Sequence, residues 1–294
     1  MADSVADRYR LLDWLGTGGM SVVWRAHDDV LDRAVAVKVL SSHVAASPGL
    51  LDRIRTEARS AARLRHPNVV EVYDYGETAD RLPYVVMELV DGRSLAEVLR
   101  RGPLPWRAAV TIGAQVAAAL AAAHARGIVH RDVKPSNVMV AAGGVKLVDF
   151  GISATAGEAD GIGGQVYGTP AYLAPERIAG GVVRPATDVY ALGLLLYLAL
   201  AGRLPWSAST TTQMLQAHVY AEPGRLPPVP GCPARCPPWS AAACPRIRRT
   251  GPPPTPPRGR SPTRPAWCCR RRCWIWWTHR PRLWRWPPPA GPGS

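Results

Sequence analysis

The chain has 294 residues and a 47% hydrophobic content, enough for one large domain or two lobes with a substantial core. Its formal net charge of +14 would ordinarily suggest a polyanion as partner. However, residues 231–294 hold 13 of the 36 Lys and Arg and no Asp or Glu, so the first 230 residues carry 23 basic against 22 acidic side chains. The nearly neutral part excludes a generally basic nucleic-acid binder, and no specific nucleic-acid partner is expected.

The N-terminal MADSVADRYRLLD has acids and no apolar h-region, so no secretory signal is read there. LLDWLGTGGMSVVWRA follows, an apolar run reaching Gly16, Gly18 and Ser21 before resuming as a strand at Val23. Glycines let a hairpin backbone approach a phosphate closely and aim N–H groups at it. RAVAVKVL alternates Val and Ala, a strand carrying Lys38 in an apolar setting. IRTEARSAARLRHPN reads as a helix that includes Glu57, and RLPYVVMELVDG as a further strand ending near Gly92.

Two apolar runs come next, Ala108 to Ala125 and Ala191 to Gly202. The first is interrupted by Thr111, Gln115 and His124, and the second is too short to span a bilayer. Both are expected to be buried helices, and no transmembrane segment is expected.

Between them lies HRDVKPSN, His130 to Asn137, followed by DFG at Asp149, Phe150 and Gly151. Asp132 can accept a proton from an incoming hydroxyl, while Asn137 and Asp149 supply hard oxygen ligands for a Mg²⁺ that neutralises ATP phosphates. That combination points to phosphoryl transfer. GTPAYLAPE, Gly168 to Glu176, and TDVYALG with Asp188 complete the motif set.

Over roughly residues 8 to 230 these motifs resemble a eukaryotic-type serine/threonine protein kinase of the bacterial, actinobacterial-like kind. The resemblance implies an α+β bilobal protein-kinase fold, with residues 1–92 forming a small β-sheet lobe with one helix and the hinge, and 93–230 a mainly helical lobe. It implies ATP and Mg²⁺ (or Mn²⁺), bound by Gly16, Gly18 and Val23, by Lys38 paired with Glu57, and at the hinge by Met87, Glu88 and Val90. Asp132 is then the base, Lys134 the neutraliser of the transferring group, Asn137 and Asp149 the metal ligands, and Thr169 a contact in the segment that docks the protein substrate. His130 and Phe150 are read as structural, and Asp188 as a cap on the catalytic loop.

Two departures stand out. Ser21 replaces the third glycine of the hairpin. Between DFG and GTP, Gly161 and Gly163 stand where many bacterial relatives carry Thr, which argues against control by loop phosphorylation through Arg131.

Residues 231–294 break with everything before them. They hold all six cysteines, 16 of the 30 prolines and 7 of the 11 tryptophans, with neither helical nor strand periodicity. Disorder is the plain expectation. The cysteines have no paired CxxC spacing, so neither a zinc site nor a disulfide framework is read. Back-translation suggests a sharper account. GC-rich codons for Arg246 to Pro252, read one base out of step, encode Asp-Pro-Ala-Asp-Arg-Pro. This resembles the DPxxRP motif of the kinase C-terminal helices, whose Arg pairs with the residue corresponding to Glu176. The tail is therefore expected to be out of frame, leaving the helical lobe incomplete.

The expected reaction is cytoplasmic, ATP-dependent phosphorylation of protein Ser or Thr, with autophosphorylation. The alternative is a catalytically impaired, kinase-like module for nucleotide or protein binding. Nothing in the sequence defines an oligomeric state.

Overall fold

β-branched residues at alternate positions build the first part of the molecule. In a computed structural model, which describes residues 4–18, 21–42, 48–150 and 169–232, the strands β1 (Ser4–Val5), β2 (Tyr9–Gly18), β3 (Ser21–Asp28), β4 (Arg33–Leu40), β5 (Val72–Glu77) and β6 (Pro83–Glu88) form one sheet in the order β1-β2-β3-β4-β6-β5. Of Pro48, Gly49, Leu50, Arg53 and Glu57 only the backbone is described. Every pairing is antiparallel.

The period of two decides what β4 shows to each side. Val35 and Val37 point into a cluster with Tyr9, Ala26, Tyr84 and Val86, all buried. Ala36 points the other way, into a cluster with Val70, Val85 and Met87. Lys38 shares the parity of Ala36, and it lies opposite Val85 in the register. Alternation alone therefore delivers this lysine to the Ala36 face. Helix α1 (Pro48–Ala62) packs on β5, with Ile54 2% exposed beside Leu40 and Tyr75.

Past β6 the chain becomes helical. A small sheet of β7 (Gly92–Ser94), β8 (Val138–Ala141) and β9 (Gly144–Leu147) leads into α2 (Leu95–Leu99), capped reciprocally by Ser94 and Glu97. α3 (Trp106–His124) follows, then α4 (Pro175–Ile178), α5 (Pro185–Ala201) and α6 (Thr211–Tyr220). On α3 the buried residues Ala109, Ile112, Gly113, Val116, Ala119, Leu120 and Ala123 recur at three- and four-residue spacing, one stripe facing the core. A Cβ on Gly113 would collide with Leu196, so this glycine lets α3 and α5 approach closely. α5 ends at Gly202, whose φ of 71° is the left-handed cap that glycine adopts at least cost.

The two apolar runs are helices as expected. α3 is long and apolar enough to cross a membrane, with 19 residues and a mean hydropathy of 1.3, but its stripe is spent on α5 and on the core cluster around Leu147 and Leu195.

Besides the chain between β6 and β7, β9 ties the sheet part to the helical part. Leu147 donates its N–H to the Asn68 carbonyl at 2.8 Å and its carbonyl accepts from Val70 N–H at 3.1 Å. The Asn68 amide reaches the Val145 carbonyl at 2.8 Å. β9, which runs directly into Asp149, is thereby anchored to both parts. All described residues fall within the compact unit Met1–Pro245. The expected tail features beyond Cys232, and the loop readings from Gly151 to Gly168, lie outside the described residues.

Candidate active site

The catalytic segment is held from behind by one carboxylate. Asp188 sits in the first turn of α5 and is 1% exposed. It accepts the N–H of His130 at 2.8 Å and that of Arg131 at 2.7 Å, and meets His124 Nε2 at 2.7 Å. Arg131 has a φ of 70°, a left-handed conformation that a residue with a Cβ adopts at a cost of roughly 1–2 kcal/mol. Its carbonyl accepts from Arg177 Nη1 at 2.6 Å, so both peptide groups around this residue are fixed. Strain of this kind persists only where the surroundings over-determine it.

That clamp aims the next residue. Asp132 donates its backbone N–H to His130 Nδ1 at 3.3 Å, while His130 Nε2 meets the Val148 carbonyl at 3.0 Å and must carry the proton there. His130 is fully buried, and its ring lies 4.7 Å from that of Phe150. The structural role read for His130, packed and bonded internally, matches this.

In front of the clamp four charged side chains converge. Lys134 Nζ lies 2.7 Å from Asp132 Oδ2 and donates to Thr169 Oγ1 at 3.0 Å. Asn137 Nδ2 donates to the Asp132 carbonyl at 2.8 Å and to Asp132 Oδ2 at 3.1 Å. Asp149, with a φ of 55°, receives Lys38 Nζ at 2.7 Å. Burial pushes the Asp149 carboxyl up, but Lys38, aided by His130 and Lys134, outweighs it and holds the group below the ordinary carboxylate range. Asp149 is therefore an anion at neutral pH.

The residues present fit a hard divalent cation. With its Nδ2 committed to Asp132, Asn137 keeps its amide oxygen for another partner, and Asp149 keeps Oδ2. Among the described residues no cluster of three or more His, Cys, Asp or Glu could hold a metal alone. A two-ligand set suits Mg²⁺, which is commonly held by one or two protein groups together with substrate phosphates and water.

The remaining expected site residues lie on the β2–β3 hairpin and on β6 and the segment after it. Gly16 pairs with Val23 and Gly18 with Ser21 across the β2–β3 hairpin, and a Cβ on Gly16 would meet nothing within 4 Å, leaving open space for a phosphate. Val23 and Val90 pack with Ala36, Met87 and Val148 in one apolar cluster, a surface suited to a flat heterocycle. Glu88 N–H is spent on the Glu71 carbonyl at 2.9 Å, and its carboxylate on Lys146 at 2.8 Å. Any contact that Glu88 makes with a ligand edge therefore falls to its carbonyl. Glu57 lies on α1, and its side chain is outside what is described; among the described side chains Lys38 meets Asp149.

Sequence reasoning passed over several contributors. Ala36 and Val148 lie within stretches already singled out, and strand parity would have placed Ala36 on the cleft side. Arg177 and Asn68 act through backbone carbonyls, which leaves no pattern in a sequence.

The segment after Thr169 is positioned by α6. Pro170–Tyr172 forms a 3₁₀ turn against this helix. His218 of α6, 5% exposed, has its ring between Tyr190, whose hydroxyl meets Nδ1 at 2.7 Å, and Trp206. Burial pushes the imidazole down to about 4. The unfolded chain, with a histidine pKa near 6.5, then binds more protons than the folded one between about pH 6.5 and 4. The contribution of His218 is full above that window and is lost as pH falls through it. Thermal unfolding at pH 7.5 and 5.0 should show a larger acid-side drop for the native chain than for His218→Gln; equal drops would contradict this.

The protein kinase domain family model matches residues 9–225. The serine/threonine-protein kinase PknA of Mycobacterium tuberculosis (strain H37Rv) is 43% identical over 232 residues, which cover 76% of this chain and 54% of the relative. PknB of Mycobacterium leprae is 43% identical over 231 residues, covering 76% of this chain and 37% of the relative. The chain thus spans about half or less of the length of these curated relatives. Among solved structures, a point mutant of the Mycobacterium tuberculosis PknI kinase domain matches with a TM-score of 0.61 and 32% identity, over 76% of this chain and 81% of the other.

Proposed function

Since the chain belongs to the protein kinase family, in its bacterial eukaryotic-type serine/threonine branch, we propose that it transfers the γ-phosphoryl group of ATP to Ser or Thr of proteins, itself included. The observation that carries this reading is the setting of Asp132, met by Lys134 at 2.7 Å and by Asn137 at 2.8 and 3.1 Å, together with the Lys38–Asp149 pair at 2.7 Å.

Each residue has a definable task. Asp132 orients the acceptor hydroxyl and takes its proton, while Asn137 holds that carboxylate in place. Lys134 sits where negative charge develops on the transferring group, and it links the base to Thr169 in the docking segment. A fixed cation in such a place favours the transition state over the ground state. Lys38 serves the α- and β-phosphates, with Glu57 as its partner from α1 when that helix lies close. Gly16 and Gly18 line the phosphate path; Val23 and Met87 enclose the adenine, with the Glu88 carbonyl and Val90 backbone meeting its edge. Asn137 and Asp149 would hold Mg²⁺ or Mn²⁺, which when bound supplies charge neutralisation for the phosphates. The need for ATP is met in the cytoplasm.

The domain division at residue 92 and the out-of-frame tail belong to the same proposal. Glu176 accepts from Thr187 Oγ1 at 2.9 Å, a neutral hydroxyl where the expected partner is an arginine. This contact favours a second reading, a kinase-like module that binds nucleotide without turnover.

Incubation of the full chain with Mg-ATP and a mixed protein substrate separates the two. Phosphoserine and phosphothreonine should appear in the mixture and on the chain. Nucleotide binding without either product would support the binding module.

A further inference from the structure

No part in the reaction has yet been assigned to His218, although α6 borders the segment that docks the substrate. Its imidazole is buried. Tyr190 Oη lies 2.7 Å from Nδ1, and the Trp206 ring meets the imidazole edge-on at 4.8 Å. Trp206 is itself tied down, its indole N–H donating to the Glu222 carbonyl at 3.1 Å. The ring is thus held from two sides.

From a third side the docking segment brings carbonyls. Those of Pro170 and Ala171 favour a proton on the ring, against the effect of burial. Nε2 is the nitrogen left for them, and among the described residues it is sealed from solvent with no hydrogen-bond partner. The carbonyls therefore act on the ring without closing a bond to it. This decides the tautomer. With its proton on Nδ1, the neutral ring would turn the Nε2 lone pair toward two carbonyl oxygens. With the proton on Nε2, the Tyr190 hydroxyl donates to Nδ1 and the Nε2–H is aimed at the carbonyls, so every dipole is attractive.

The turn that carries these carbonyls has little of its own to hold it. Tyr172 N–H donates to the Thr169 carbonyl at 2.9 Å and Leu173 N–H to that of Pro170 at 3.4 Å, while Pro170 has no N–H to offer. Moving the turn away from α6 would leave a buried donor still farther from its acceptors, which is unfavourable. Thr169, just before the turn, accepts from Lys134, which lies 2.7 Å from Asp132. Helix α5 registers both ends of this series. Asp188 and Tyr190 are two residues apart, about 200° around the helix. One therefore reaches the catalytic segment and the other reaches His218.

Resting on the protein-kinase reading above, we propose that His218 is a positioning residue for the phosphate acceptor: its Nε2–H, held in place by Tyr190 and Trp206, fixes the Pro170–Tyr172 turn and so the place of the substrate hydroxyl relative to Asp132. It acts through the turn, so its effect falls on the use of protein substrate more than on nucleotide.

The test is steady-state kinetics of the full chain with Mg-ATP and a Ser-containing peptide that the native chain labels. His218→Leu fills the space with an apolar group and removes both nitrogens. It should raise the KM for the peptide about tenfold, the weight of one hydrogen bond, with smaller changes in kcat and in the KM for ATP. His218→Gln, whose amide can accept from Tyr190 and donate to a carbonyl, should recover most of that loss. Tyr190→Phe, which frees Nδ1 to take the proton, should raise the peptide KM as His218→Leu does. Melting temperatures identify a variant that does not fold; if His218→Leu is one, Tyr190→Phe against His218→Gln decides on the same readout. An unchanged peptide KM, a loss shared equally by peptide and ATP, or a Gln variant no better than Leu would overturn the positioning role while leaving the kinase reading intact. If the native chain labels neither peptides nor a mixed protein substrate, the kinase reading itself fails and this role falls with it.

Discussion

Asp188→Asn should destabilise the protein by about 3 kcal/mol, as a consequence of geometry and not of charge alone. Oδ1 and Oδ2 each accept a different backbone N–H, from Arg131 and His130. An asparagine has only one oxygen, so in either orientation one buried N–H faces an NH₂ donor. Leaving a buried donor unsatisfied costs roughly 1–3 kcal/mol, and two opposed donors reach the upper part of that range. For a domain of this size, about 1 kcal/mol moves the melting temperature by roughly 2–4 °C, so a fall of roughly 6–12 °C is expected. Arg131, freed on one side, would also leave its φ of 70°, taking Asp132 out of line. Activity should therefore drop even at temperatures where the variant is folded. A variant with native melting temperature and turnover would show that the clamp is not what holds the catalytic segment.

Lys38→Met should act on turnover. Methionine fills similar volume against Val85 and Ala36 but removes the cation that lies 2.7 Å from Asp149. Two losses follow: the phosphates lose a fixed positive charge, and the Asp149 carboxyl loses the neighbour that holds it low. Removing one preorganised electrostatic group from such a site costs on the order of 10²–10³ in rate. Steady-state kinetics should show this loss in kcat/KM while the melting temperature changes little. Unaltered kinetics would mean that Lys38 is only a partner for Asp149.

Much of this was legible in the chain, for physical reasons that differ by element. β4 is buried on both faces, so RAVAVKVL is a continuous apolar run that announces a strand, and the parity of Lys38 with Ala36 gives the face on which it stands. The α3 helix was visible as a long Ala-rich apolar run, though not which of its residues face α5 and β9. HRDVKPSN and DFG were legible because the chemistry requires those side chains, although their partners Lys38, Thr169 and Asp188 lie far off in sequence. Less legible was everything carried by backbone. The left-handed conformations of Arg131 and Asp149 involve residues that rarely adopt them, and Arg177 and Asn68 reach carbonyls that any residue could offer.

The most direct test of the central claim is phosphate transfer from γ-labelled ATP to protein, measured for the full chain beside Asp132→Asn under saturating Mg-ATP. Asn keeps the size of the side chain and can still face Asn137 and Lys134, so nucleotide binding should persist. The expected result is labelled Ser and Thr with the native chain and a loss of at least about a hundredfold with the variant, in keeping with the 10²–10⁴-fold contribution of a positioned base. Equal labelling by both chains, or binding of Mg-ATP with no labelling by either, would contradict it.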